Sequence, residues 1–185
     1  MPNGKGTYFA ALRAFVRERF GDEGLERYLS VLEKEDRDTV ATAVSIDWVD
    51  MGIRLRATRE LEMTFGKGDD SLLSEFGRFE AQRDLSTTQR VFLRLANPGY
   101  AIQKAGQYWR RFYDWGELSV ERQSKTQVVA TLKNSVVADA HYCTQFMAYL
   151  TRVFELVGAK DVVVKHTKCR ARGHSNCVYD GSWRG

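Results

Sequence analysis

Four residues near the end of the chain combine the types and the spacing that metal chemistry needs. Cys143, His166, Cys169 and Cys177 stand in the order Cys-x22-His-x2-Cys-x7-Cys, and they include every cysteine of the protein. Thiolates and a neutral imidazole are the donors that a structural zinc prefers, and four of them close a tetrahedral shell with no open position for catalysis. A site made from them staples rather than reacts. The spacing differs from the common fingers and ribbons, which set two closely spaced ligand pairs apart. A plainer role also fits, with Cys143 as a small core residue on an apolar helix face and Cys169 and Cys177 as hairpin packing or a labile redox pair. Disulfides are rare in a reducing compartment, which weighs against the last of these. His174 falls in a polar loop and reads as exposed.

No catalytic constellation accompanies these residues. Gly66-Lys67-Gly68-Asp69 lacks the length and the Lys-Ser/Thr ending of a phosphate-cradling loop. Aspartates and glutamates fall on helix faces that read as solvated, and a cysteine committed to metal is not a free nucleophile. The chain is therefore not expected to be an enzyme.

The elements that must position the four ligands follow from periodicity. Tyr8, Phe9, Leu12, Phe15, Val16 and Phe20 recur at helical spacing up to Gly21, and Leu25, Tyr28, Leu29 and Leu32 continue in a second helix. Glu35 to Val44 reads as a third. Ser45-Ile46-Asp47 reads as the cap of a longer helix from Trp48 to Phe65, which Gly66-Lys67-Gly68 closes. Asp69-Asp70 caps the next helix, to about Leu85, and Ser86-Thr87-Thr88 starts another through Leu95. Asn97-Pro98-Gly99 breaks the chain before a helix from Tyr100 to Asp114. The period then changes to the alternation of strands at Glu117 to Arg122 and Thr126 to Leu132, an antiparallel hairpin. A long helix, Val136 to Val157, follows and ends at Gly158. Asp161 to Thr167 and Cys177 to Trp183 form a second hairpin, looped by Arg172 to Asn176. The expected fold class is α+β: a helical N-terminal two-thirds packed on a small four-stranded antiparallel sheet, with one long helix between its two hairpins.

Composition sets the outer limits. The 185 residues, 43% of them hydrophobic, suit one domain spanning 1–185, and neither of the two prolines lies in a linker-like stretch. The formal charge of +4 is spread over 28 basic residues interleaved with 24 acidic ones, so no basic footprint for nucleic acid stands out. No apolar run is long enough for a membrane span, and few cysteines with no leader pattern indicate a cytoplasmic protein.

The closing segment carries a family resemblance. A long helix, then Val162-Val163-Val164-Lys165-His166-Thr167-Lys168-Cys169-Arg170-Ala171-Arg172-Gly173, then Cys177-Val178-Tyr179, resembles the end of the 4-vinyl-reductase domain, with its Cys, Ala-x-Gly and Cys pattern before an aromatic strand. Upstream, Gly6-Thr7-Tyr8-Phe9, Phe20-Gly21 and Trp109-Arg110-Arg111-Phe112-Tyr113 are similar to a family of myxobacterial proteins of this length. The wider superfamily that this resemblance implies includes haem-nitric-oxide-binding domains, subunits of the Golgi transport particle (TRAPP), and aromatic-effector sensor domains of bacterial regulators. Its members share a fold and not a function.

The sensor branch implies a structural zinc on Cys143, His166, Cys169 and Cys177, with His166 replacing the carboxylate of the sensors. It also implies an apolar pocket between helices and sheet. Most aromatic side chains are expected to be core, and Phe76, Phe79, Trp109, Tyr113 and Tyr149 are the candidate lining for a small apolar or aromatic ligand. Haem is not expected: His141 lies on the right kind of helix, but the Tyr-x-Ser-x-Arg motif that holds haem carboxylates in the haem-binding branch is missing. The resulting expectation is a non-enzymatic small-molecule-binding or sensory module with a structural zinc. It would be homodimeric, as many relatives are, and would act through a downstream regulatory protein. The alternative is an interaction adaptor resembling transport-particle subunits, without a free ligand.

Overall fold

A computed structural model describes residues 1–85 and 105–184. Strand β1 (Asn3–Lys5) pairs antiparallel with β2 (Trp48–Asp50), Gly4 lying opposite Val49. Helix α1 (Thr7–Val31) buries Tyr8, Leu12, Phe15, Val16, Leu25 and Tyr28, and it breaks where the sequence places a boundary, at Gly21 with φ 76°. That conformation suits only glycine. Helices α2 (Lys34–Thr42), α3 (Met51–Phe65) and α4 (Ser71–Asp84) complete the described part of the helical half.

One boundary differs from the sequence reading. Trp48 and Val49 do not open a helix: they pair with the start of the chain, and Asp50 is the cap, its Oδ1 accepting from Gly52 N at 2.7 Å. Three residues are too few for strand periodicity to register, whereas a capping carboxylate two residues before the helix interior is a local signal. The expected helix from Ser86 to Leu95, the Asn97-Pro98-Gly99 break and the start of the helix at Tyr100 lie outside the described residues. That last helix is described as α5 (Ala105–Phe112).

Strands β3 (Glu117–Ser124) and β4 (Gln127–Lys133) form the first hairpin, and β5 (Lys160–Lys168) and β6 (Cys177–Arg184) the second. Between them runs α6 (Ala140–Leu156). It starts later than its apolar residues imply because Asp139 is its cap, accepting from Tyr142 N at 2.9 Å. The sheet order is β3-β4-β6-β5, antiparallel throughout, so the expected α+β plan with its four-stranded sheet is the one observed.

Three buried clusters result among the described residues. One joins α1, α2, α3 and α4; a second joins α5, the first part of α6 and the inner face of the sheet; a small third gathers Val128, Phe154, Ala159 and Trp183 at the end of α6. Helices α4 and α6 lie against each other where Gly77 faces α6. A Cβ there would stand 2.2 Å from the Gln145 carbonyl oxygen, so this close approach of backbones excludes every larger residue. No helix among the described residues is long and apolar enough to cross a membrane.

Candidate metal centre

Each element delivers its ligand for a local reason. Cys143 lies in the first turn of α6, fixed by the Asp139 cap, whose carboxylate is held in turn by Arg59 at 3.0 Å. His166 sits on β5 opposite Tyr179 of β6, just before the register slips between His166 and Lys168. That irregularity lets the strand turn into Cys169 and the short 3-10 turn Arg170–Arg172, which Gly173 closes at φ 87°. Cys177 opens β6, paired with Leu132 of β4. The loop folds back on itself, Arg172 N and His174 N both donating to the Cys169 carbonyl, at 3.0 and 3.1 Å.

The four donor atoms lie within 4.8 Å of one another. Cys143 Sγ is 3.8 Å from Cys169 Sγ and 4.0 Å from Cys177 Sγ. Tetrahedral zinc with Zn–S near 2.3 Å sets its sulfurs roughly 3.8 Å apart, so the spacing is that of a metal shell. It is far longer than the roughly 2.05 Å of a disulfide, and all three cysteines are free thiols. The cysteines are buried at 4, 3 and 1% exposure for Cys143, Cys169 and Cys177. His166 Nε2 is buried without a hydrogen-bond partner, a polar atom that elsewhere would cost free energy to leave alone.

The electrostatics favour an anion at one thiol. Donation from Cys143 pushes Cys177 down against the effect of its burial, and His166 and the Arg170 N–H (3.4 Å to Cys177 Sγ) act in the same direction. Cys143 is pushed up, first by that same hydrogen bond and then by burial. A divalent ion would displace the remaining protons.

The other residues singled out from the sequence are not gathered around one space. Phe76 packs in the helical core against Tyr8 and Phe15. Phe79 touches Phe15 and lines a shallow outer groove with Arg78, Gln82 and Arg152. Trp109 and Tyr113 stack on each other at 4.2 Å in the sheet-side core, and Tyr149 stacks on Phe146. His174 is a loop residue, its Nδ1 3.2 Å from the Cys169 carbonyl.

A second polar cluster lies at the seam of α3, α4 and α6, where the sequence reading expects solvated acids. Glu80 is 5% exposed and Arg54 6%. Arg54 Nη1 donates to Tyr113 Oη at 2.7 Å, Nη2 reaches Glu80 at 3.3 Å, and the guanidinium lies 4.1 Å from the Tyr8 ring centre. Gln145 Nε2 donates to Glu80 Oε2 at 2.7 Å. Burial raises Glu80 against the pull of Arg54. Asp36 of α2 and Glu62 of α3 are buried as well, so acids in the helical half are not confined to solvated faces. The signal was present: Glu80 falls on the stripe of Leu73, Phe76 and Gly77, and Arg54 on that of Ala57 and Leu61.

No family model and no curated protein matches the chain. Solved structures do. An H-NOX protein from S. oneidensis in the Fe(II)NO ligation state is 13% identical with a TM-score of 0.75, covering 98% of this chain and 99% of its own. An unliganded Fe(II) H-NOX mutant from K. algicida is 14% identical with a TM-score of 0.71, covering 98% and 97%. A third, described by the modulation of haem redox potential through porphyrin distortion, is 13% identical at a TM-score of 0.68 and covers 97% and 99%. These findings correct two expectations. The assignment to 4-vinyl-reductase and transport-particle relatives does not hold, because a Cys, Ala-x-Gly, Cys pattern records a local hairpin while the likeness to H-NOX spans the whole chain. Setting haem aside is likewise overturned, since this is a fold whose solved examples carry it, and one missing motif speaks only for the few contacts it makes.

The fit of this chain's own histidines to haem is a separate observation. His141 Nδ1 is 2.8 Å from Asp70 Oδ1, and its side chain is 33% exposed. His166 belongs to the thiol cluster, His174 to the hairpin loop, and residues 86–104 contain no His, Cys or Met. None of the three histidines fits as an interior axial ligand. What the comparisons establish is architecture: the chain has the H-NOX fold.

Proposed function

We propose that this chain is a non-enzymatic, ligand-binding sensory module whose second hairpin is fixed to α6 by one structural zinc on Cys143, His166, Cys169 and Cys177. The observation that carries the zinc is the convergence of four buried or half-buried donors from α6, β5, the turn and β6, at sulfur spacings that match a tetrahedral shell. Bound zinc supplies a closed shell and no reactive position. The residues do the rest: Cys143 ties the start of the helix, and the other three hold both ends of the β5–β6 loop.

The sensory part of the reading is supported by the fold alone, whose solved examples are described in ligation states of Fe(II). A small ligand would lie between the helical half and the sheet, and a downstream regulatory protein would read the state of the module. A homodimer in the cytoplasm is the expected working form. The experiment has three readouts on purified protein. Metal analysis is expected to give about one zinc per chain, and Cys169→Ser should lose it; a metal-free, equally stable wild type would sink the staple. Native mass spectrometry reads copurified ligand and dimer together. An absorption spectrum after expression with haem supplied reads whether the ligand is a porphyrin. A monomer that carries nothing and takes up nothing would sink the sensory reading.

A further inference from the structure

Tyr179 is buried against the thiol cluster without being one of its four ligands. It stands opposite His166 in the strand register, and the two rings stack at 4.3 Å and 11°. Phe146 of α6 packs edge-on against the other side at 5.4 Å and 76°, so the tyrosine ring is held between the helix and the imidazole. Its hydroxyl is buried, faces the Cys143 thiol, and makes no hydrogen bond of good geometry to the described residues.

We infer that Tyr179 is the positioning residue of the metal centre: its ring sets the plane of the His166 imidazole, and its hydroxyl donates to the Cys143 thiolate when metal is bound. The inference rests on the zinc reading above. Three thiolates and a neutral imidazole on a divalent ion leave one net negative charge in a buried place, and such a centre needs donors to its sulfurs. Arg170 N–H supplies one to Cys177 Sγ at 3.4 Å. Tyr179 is placed to supply another to Cys143, from the opposite side. An ordinary core tyrosine accounts for the stacking but not for an unpartnered hydroxyl, where phenylalanine would serve at no cost. The arrangement also couples ligands from two elements, since one side chain touches a helical cysteine and a strand histidine.

Tyr179→Phe removes the hydroxyl and keeps the stack; Tyr179→Leu removes both. The probe is Co(II), titrated into metal-free protein and read by thiolate-to-cobalt charge transfer, followed by competition with Zn(II). Wild type and Tyr179→Phe should each bind one equivalent in a tetrahedral site. The phenylalanine variant should bind roughly tenfold more weakly, with its charge-transfer band at longer wavelength because the thiolate has lost a donor. Tyr179→Leu should bind more weakly still. Without metal, Tyr179→Phe should be at least as stable as wild type, which a merely structural tyrosine would also give, so the band position and affinity carry the decision. One metal bound with wild-type affinity and an unshifted band in Tyr179→Phe would overturn the role of the hydroxyl and leave the zinc reading standing. A wild type that binds no metal would overturn both.

Discussion

The two faces of α6 handle buried polarity in opposite ways. Cys143 looks toward the hairpin and Gln145 toward α4, two residues apart and so roughly 200° around the helix. On the Gln145 side polar groups pair off: Glu80 takes Gln145 and Arg54, Arg54 takes Tyr113, and Tyr8 meets Thr58 at 2.7 Å. Atoms left over there include Arg54 Nε, Gln145 Oε1 and Tyr142 Oη. On the Cys143 side three thiols and an unpartnered imidazole nitrogen converge on one point. A cluster that pairs internally is finished by the chain; a cluster that converges is finished by something the chain binds. The contrast fits a structural role for the first face and the proposed metal for the second.

Metal removal should test that assignment most strongly. The proposed zinc would tie elements that are joined by no disulfide, and structural zinc contributes directly to folding free energy. Chelation is expected to lower Tm by on the order of 10 °C. Amide exchange should rise through β5, the 3-10 turn and the start of β6, while α3 and α4 keep their protection. If loss of protection were equal on both faces, the two clusters would be one cooperative unit and the contrast would fail.

The next effect belongs to the paired face. Arg54→Met leaves the buried Glu80 with its Gln145 hydrogen bond but without its counter-charge, and breaking a buried pair costs about 3–5 kcal/mol. Adding Glu80→Gln removes the stranded charge, and the double variant is expected to recover more than half of the loss in urea denaturation, with metal content unchanged throughout. Loss of zinc in Arg54→Met would show that the seam reaches across the helix to the hairpin.

The two faces were not equally legible in the sequence. Cysteine and histidine are rare enough that Cys143, His166, Cys169 and Cys177 stand out by type, and the hairpin pattern brings the last three together. The structure adds Tyr179, an aromatic on a strand whose register with His166 no periodicity gives. Glu80 and Arg54 were missed because a charge is read as a surface residue before its place on a stripe is considered, and their mutual satisfaction depends on how α3, α4 and α6 pack. Packing also separates Phe76 from Trp109: both sit on apolar stripes, but which core a stripe enters is a tertiary fact. The hairpins and α4 are plain from alternation, caps and glycines, whereas β2 has too few residues to show.

Acidity separates the faces with a smaller effect. Asp84, hydrogen-bonded by Tyr149 Oη at 3.2 Å and facing Glu80, Arg54 and Arg83, is pushed up to about 7, first by burial and then by the charge of Glu80. A folded pKa above the ordinary carboxylate value means that the folded chain holds the proton more tightly. Its contribution is full below about pH 4 and is lost as pH rises through about 7. The thiol cluster, with the proposed zinc bound, should have the reverse slope, because protons compete for thiolates as pH falls. Tm should therefore fall on both sides of a maximum. Asp84→Asn is expected to flatten the alkaline limb and leave the acid limb as it was, whereas Cys169→Ser should do the opposite. Parallel curves for wild type and Asp84→Asn would remove the seam as a source of pH dependence.

His141 gives the smallest expected effect. It stands at the start of α6 two residues from Cys143, yet its partner is Asp70, at the start of α4, with Thr144 Oγ1 donating to the same carboxylate at 3.3 Å. Both side chains of the pair are partly exposed, at 33 and 26%, where water and salt screen an ion pair. Removing it with His141→Ala should cost less than about 1 kcal/mol, and Asp70→Asn combined with it should add little more. Metal content and the cobalt spectrum should match wild type, since neither residue touches a thiol. Loss of metal in His141→Ala would instead make the start of α6 a hinge shared by both faces, because His141 and Cys143 share its first turn.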